Sequence, residues 1–186
     1  MLLNNQVKVF EEFLRDFKAE LTGSFIAKKK KLNQKTTANF LNKLEREAIL
    51  KSKKQGKNRL YSLNLENREI VKNFIIAVEH LRAINFYKNN LLIKEISEKI
   101  QDQIKGIAII FGSYAKGIQK QDSDLDILII GKCNEKEINK TSRTYKIEIS
   151  LKIYTTLKYD ILTKEVIKDH IIIENAEQFI WEILNG

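Results

Sequence analysis

Apolar positions along the first 66 residues recur first at helical and then at strand spacing. Val7, Phe10, Leu14 and Phe17 fall at i, i+3, i+7 and i+10, which predicts an amphipathic helix. Leu21-Thr22-Gly23 interrupts it, and Thr22 is placed to cap a short second helix holding Phe25, Ile26 and Leu32. A third helix is expected from about Asn33, with Thr37, Leu41 and Leu44 turned inward. Its other face shows Gln34, Lys35, Thr36, Asn39, Asn42 and Lys43, all able to donate hydrogen bonds. Residues 48–53 and 58–63 flank Lys54-Gln55-Gly56-Lys57 and predict a β-hairpin with Gly56 at its tip. Residues 67–101 return to a helical period. Ile70, Phe74, Ile75, Val78, Leu81 and Ile84 form one stripe, and Leu91, Leu92, Ile96 and Ile100 a second. Two short apolar runs, 107–111 and 127–130, read as buried strands, followed by a polar loop over 131–139. A third strand is expected in 146–154, where Glu148, Ser150 and Lys152 share one face. Ile180, Trp181 and Leu184 read as the buried face of a last helix.

The chemistry lies between the two buried runs. Residues 112–126 read Gly-Ser-Tyr-Ala-Lys-Gly-Ile-Gln-Lys-Gln-Asp-Ser-Asp-Leu-Asp. A Gly-Ser turn at a strand end frees backbone N–H groups to form a nest for anionic oxygens. Asp124 and Asp126, two apart at the start of a strand, point to one face, so their carboxylates can share a pair of Mg²⁺ ions about 3.5–4 Å apart. Oxygen ligands suit Mg²⁺, and a phosphate chain completes its octahedron.

The pattern Gly-Ser-x-Ala-x-Gly, five residues, then Ser-Asp-x-Asp resembles the signature of the polymerase-β-like nucleotidyltransferases, in particular their small "minimal nucleotidyltransferase" branch. Gly112, Ser113, Ala115, Gly117, Ser123, Asp124 and Asp126 carry the likeness. The resemblance implies a donor site in which Gly112, Ser113, Lys116 and Ser123 hold the triphosphate. It also implies Asp124 and Asp126 as ligands of a two-ion Mg²⁺ site, with ATP or another NTP as donor. Members of the family carry a third carboxylate on the neighbouring strand. Glu148 is the acid available there, and with Asp124 and Asp126 it completes the expected catalytic set, although the family register also points to Ser150 or Lys152. Residues 169–179 resemble the strand and helix that end many small members, which makes His170 a structural residue.

Composition adds an asymmetry. The net charge is +9, and residues 1–66 hold 15 Lys/Arg against 7 Asp/Glu, so almost all of the excess lies in the first third. Such a distribution suits a polyanion partner. Three helices and a basic hairpin, with Leu-x-x-Leu-Glu-Arg-Glu-x-Ile-Leu over 41–50 and Leu-Tyr-Ser-Leu-Asn over 60–64, resemble a winged helix-turn-helix domain. That likeness implies double-stranded DNA as a partner, read by the third helix through Gln34, Lys35, Thr36, Asn39 and Lys43. Lys53, Lys54, Lys57 and Arg59 of the wing would follow the phosphates. The single cysteine, Cys133, excludes an internal disulfide and a cysteine-based zinc site, and His80 and His170 are far apart. No apolar run approaches the roughly 20 residues of a membrane span. With no secretory signal visible, a cytoplasmic protein is expected.

The expected fold class is therefore α+β, a winged helix-turn-helix head followed by a small mixed sheet flanked by helices. The expected boundaries are 1–66 for the head, 67–90 for a linking helix and 91–186 for the nucleotidyltransferase domain. The expected function is Mg²⁺-dependent transfer of an NMP, by default AMP from ATP, to an acceptor. A tyrosine on a HEPN-type partner protein is one acceptor that the resemblance implies; an RNA end or a small molecule are others. The alternative is a DNA-bound regulator whose nucleotidyltransferase body senses nucleotide or only dimerises. The stripe over 70–84 is open to either a core or a homodimer role.

Overall fold

The computed structural model describes residues 2–185, with side chains from Asn5 onward, as two compact units, Met1–Val78 and Glu79–Gly186. The first unit runs α1 (Leu2–Leu14), β1 (Leu21–Thr22), α2 (Gly23–Lys30), α3 (Gln34–Arg46), β2 (Leu50–Gln55) and β3 (Asn58–Leu63). Its antiparallel sheet has the order β1-β3-β2. Two side-chain caps set the helix starts. Thr22 Oγ1 accepts the Phe25 N–H at 3.1 Å, and Asn33 Oδ1 accepts the Thr36 N–H at 3.1 Å. Phe10, Phe13, Leu14, Ile26, Leu41 and Leu44 fill the core, with Thr37 buried beside them and its hydroxyl donating to the Asn33 carbonyl. Phe17 does not extend α1 as its spacing suggested. Asp16 ends the helix by accepting the Lys18 N–H at 2.9 Å, a local turn that competes with helical bonding. β2 and β3 meet in a two-residue turn, Gly56-Lys57, with Gln55 paired to Asn58. Gly56 has φ +60, the left-handed value that the first position of a type II′ turn requires.

A 3-10 turn (Leu65–Asn67) leads into the long helix α4 (Arg68–Asn89), which carries the chain from the first unit into the second. The second unit continues with α5 (Leu91–Gln101), β4 (Ile104–Ile110), α6 (Gly112–Lys116), β5 (Leu125–Cys133) and α7 (Glu135–Tyr145). It closes with β6 (Ile149–Tyr154), α8 (Ile161–Lys168), β7 (Ile171–Glu174) and α9 (Ala176–Asn185). The sheet is mixed, in the order β6-β5-β4-β7, with β5 and β6 parallel and the other pairs antiparallel. Residues 107–110 and 127–130 are buried without exception, so helices cover both faces of the central strands and the sequence reads there as unbroken apolar runs.

Two expectations fail here. The polar stretch 131–139 is the end of β5 followed by α7, a helix that buries only Ile138 and so leaves almost no apolar period to read. Trp181 is 55% exposed, while Ala176, Phe179 and Ile180 make the buried face of α9. Phe179 and Ile180 already span the buried stripe, and Trp181, a further 100° or so round the helix, is turned out of it. His170 is structural. Its Nδ1 lies 3.0 Å from the Val166 carbonyl and its Nε2 lies 3.2 Å from Glu79 Oε1. Arg82 donates to both Glu79 oxygens at 2.8 Å and to the His170 carbonyl at 3.0 Å. Burial raises the Glu79 carboxyl, but the charges of Arg82 and His170 outweigh it and hold the pKa at about 2.

Candidate active site

Strand pairing builds the site. β4 and β5 run antiparallel with Ile110 opposite Ile127, and the Phe111 N–H donates to the Asp126 carbonyl at 3.0 Å. The residue after Phe111 therefore meets the start of β5. That residue is Gly112, with φ +70, and a Cβ there would lie 2.1 Å from Asp126 Oδ2. The position needs glycine twice over, for its backbone angle and for the carboxylate pressed against it. Asp126 is half-buried; burial and then the neighbouring Asp124 charge push its carboxyl up, and Lys152 opposes them. A buried carboxylate raised further by a neighbouring acid marks a site short of positive charge, and this is the setting a divalent cation relieves. The residues present thus fit Mg²⁺ held by Asp124 and Asp126.

The surrounding turn is preorganised. α6 begins at Gly112 and is capped by Gly117, and the Ile118 N–H donates to the Ser113 carbonyl at 3.1 Å. Ser113 makes no side-chain hydrogen bond among the described residues, so its hydroxyl is open to a ligand. Ser123 is committed instead. Its hydroxyl accepts the Lys120 N–H at 2.8 Å and its N–H donates to the Lys120 carbonyl at 3.1 Å, which closes the loop just ahead of Asp124. Lys116 is exposed and lies within electrostatic reach of Glu165.

Glu148 is the exposed residue just before β6, and its carbonyl accepts the Leu125 N–H at 2.8 Å. β6 then pairs Ser150 with Asp126 and Lys152 with Leu128. Residues directly paired in parallel strands share a face, so Ser150 and Lys152 lie on the face that carries Asp126. Among the described residues no three His, Cys, Asp or Glu side chains gather closely enough to hold a metal. The structure therefore brings the two aspartates together without adding Glu148 to a three-acid cluster.

The nucleotidyltransferase domain family matches residues 90–181, a span that contains all of these groups. The "putative protein adenylyltransferase" of Methanocaldococcus jannaschii is 38% identical over 74 residues, which is 40% of this chain and 69% of that protein. The chain belongs to the nucleotidyltransferase family. A solved structure titled a toxin–antitoxin with AMP-PNP is also similar, at 19% identity and a TM-score of 0.39, over 52% of this chain and 80% of that one.

Outside the nucleotidyltransferase domain, the residues expected to meet DNA lie on two elements of the first unit. Gln34, Lys35, Thr36, Asn39 and Lys43 are exposed on α3, and Lys53, Lys54 and Lys57 are exposed on the hairpin. Several of the charges are already paired. Lys53 lies 2.6 Å from Glu20, and Lys43 lies 3.8 Å from Glu47. Arg59 is the most committed: its guanidinium pairs with Glu45, donates to Ser52 Oγ at 2.8 Å and to Asn42 Oδ1 at 3.1 Å, and stacks on Tyr61. It ties the hairpin to α3, a role that sequence reasoning missed. The alternation that puts Arg59 and Tyr61 on one face of β3 was the available signal. Lys35, Lys54 and Lys57 have no acidic partner among the described residues. Thr36, Asn39 and Lys43 also border a cavity of about 280 Å³ lined by Val9, Leu32 and Phe40. No described helix is long and apolar enough to cross a membrane.

Proposed function

We propose that this chain transfers an NMP, by default AMP from ATP, to a hydroxyl of a partner protein. The carrying observation is the Asp126 carboxylate set against the backbone of Gly112, with Asp124, just before β5, near enough for its charge to act on it. Asp124 and Asp126 would hold Mg²⁺, which supplies charge neutralisation to the triphosphate when bound. The Gly112-Ser113 turn, the free Ser113 hydroxyl and Lys116 would position the phosphates. The acceptor oxygen attacks the α-phosphorus, the bond to the β-phosphate oxygen breaks, and pyrophosphate leaves with that electron pair. The acceptor proton passes to solvent or to the exposed Glu148. Catalysis then rests on positioning and electrostatics rather than on a covalent intermediate.

The protein acceptor is supported by the name of the Methanocaldococcus jannaschii relative, and a HEPN-type partner is the class that the family resemblance implies. The first unit is read as a winged helix-turn-helix domain that binds double-stranded DNA. Its order of helix, strand, two helices and hairpin, with Thr22 and Asn33 capping the inner helices, supports this reading. Lys35, Lys54 and Lys57 are the cations available to phosphates.

Lys152 favours a second reading, a DNA-bound regulator that binds nucleotide without transferring it. One experiment separates the two. The full chain is incubated with Mg²⁺, ATP labelled at the α-phosphate, and the product of the neighbouring gene. Label on that protein, with pyrophosphate released, supports transfer. Bound nucleotide without either result supports the regulator.

A further inference from the structure

We propose that this site takes a single divalent cation with its nucleoside triphosphate, because the Lys152 ammonium stands where a second ion would bind. The inference rests on the reading of Asp124 and Asp126 as the donor site, and it departs from the two-ion site that their spacing alone suggests.

Ligand supply decides the number of ions. A pair of Mg²⁺ ions about 3.5–4 Å apart needs one carboxylate to bridge them and further protein oxygens to hold each side. A single Mg²⁺ is satisfied by one or two carboxylates, phosphate oxygens and water. Asp126 on β5 and Asp124 just before it provide two carboxylates. The face that carries Asp126 continues on β6, where the residue paired with Asp126 is Ser150 and the next same-face residue is Lys152. Glu148, the remaining residue of that face, precedes the strand and does not gather with Asp124 and Asp126 into a three-acid cluster among the described residues. A neutral hydroxyl and an ammonium therefore occupy the side from which a second ion would be held. Lys152 lies diagonally from Asp126, one strand across and two residues along, about 8 Å between Cα atoms, a separation that the four-carbon lysine stem can span back toward the aspartates. Among the described residues Lys152 has no carboxylate partner in an ion pair, so its ammonium is not held elsewhere. β6 is an edge strand with Lys152 exposed on it, and substitution there leaves the core untouched.

The test counts metal rather than turnover. The full chain is saturated with α,β-methylene-ATP, which cannot release pyrophosphate, and bound Mn²⁺ is counted by electron paramagnetic resonance. The wild type is expected to bind one Mn²⁺ per chain. Ser150→Asp, which sets a third carboxylate opposite Asp126, is expected to bind one still, because Lys152 pairs with the new acid. Ser150→Asp with Lys152→Gln is expected to bind two. Two Mn²⁺ ions in the wild type, or in Ser150→Asp alone, would overturn the role of Lys152 while leaving the donor site standing. A double variant that folds, as judged by circular dichroism, yet binds one would also overturn it. No nucleotide-dependent Mn²⁺ in the wild type would remove the donor-site reading itself, and this inference with it.

Discussion

Replacing Gly112 by alanine tests the site at its tightest contact. The substitution does two separable things. It places a side chain at φ +70, where a non-glycine residue costs about 1–2 kcal/mol. It also sets a methyl 2.1 Å from Asp126 Oδ2, against an ordinary contact of 3.4–4 Å, so the carboxylate must retreat by more than an ångström. Metal–ligand distances tolerate only about ±0.2 Å. The displaced oxygen should therefore lose its place in the metal shell, with a loss of at least about tenfold in Mg²⁺-nucleotide affinity, or roughly 1.4 kcal/mol. Transfer should fall further, by about a hundredfold for an ångström-scale misplacement. Gly117→Ala is the control. Its φ of +66 carries the same backbone cost, but its Cβ would meet nothing within 4 Å. Urea unfolding should find the two variants destabilised to a similar degree, while calorimetry with Mg-ATP separates them. Equal losses of affinity in both, or none in Gly112→Ala, would refute the idea that Gly112 exists to admit the Asp126 carboxylate.

Two further outcomes follow from other parts of the chain. Glu79 titrates at about 2 in the fold against an ordinary 4.5, so its contribution to stability is complete above about 4.5 and is lost as pH falls toward 2. Urea midpoints measured from pH 6 to pH 2 should show this acid limb, and Glu79→Gln should remove its share of it while costing about 3–5 kcal/mol, because it takes the carboxylate out of a buried ionic network. In the first unit, Lys54→Ala with Lys57→Ala should lower the slope of log affinity for duplex DNA against log salt by about 0.9 for each phosphate that is no longer neutralised, read by fluorescence anisotropy. Arg59→Ala should instead free the hairpin from α3 and lower stability; a slope unchanged by the lysine pair would show that the wing does not touch phosphate.

The parts legible in the sequence are those where one local rule decides. The Gly56 turn, the Thr22 cap, the start of α3 near Asn33 and the Asp-x-Asp pair each depend on neighbours within a few residues. Gly112 was legible as a turn glycine, but its contact with Asp126 comes from strand register between β4 and β5. The misses share a cause. α7 shows a single buried residue, so its polar sequence carries no helical stripe. β1 is two residues long, and only its pairing with Leu60 and Tyr61 makes it a strand. The Arg59–Glu45 tie and the Glu79–Arg82–His170 network join residues far apart in sequence, and no spacing rule brings their charges together. Lys152 was legible as a resident of the third strand's face, and its position beside Asp126 follows from the parallel register of β5 and β6.

Everything proposed for the second unit depends on Asp124 and Asp126 holding the metal of a bound nucleoside triphosphate. Isothermal titration of Mg-ATP into the full chain and into the Asp124→Asn, Asp126→Asn double variant tests this most directly. Binding by the wild type and none by the variant is expected. The variant's fold should persist, because removing two repelling carboxylates from the mouth of β5 relieves strain rather than adding it. Unchanged Mg-ATP affinity in a folded double variant would contradict the assignment.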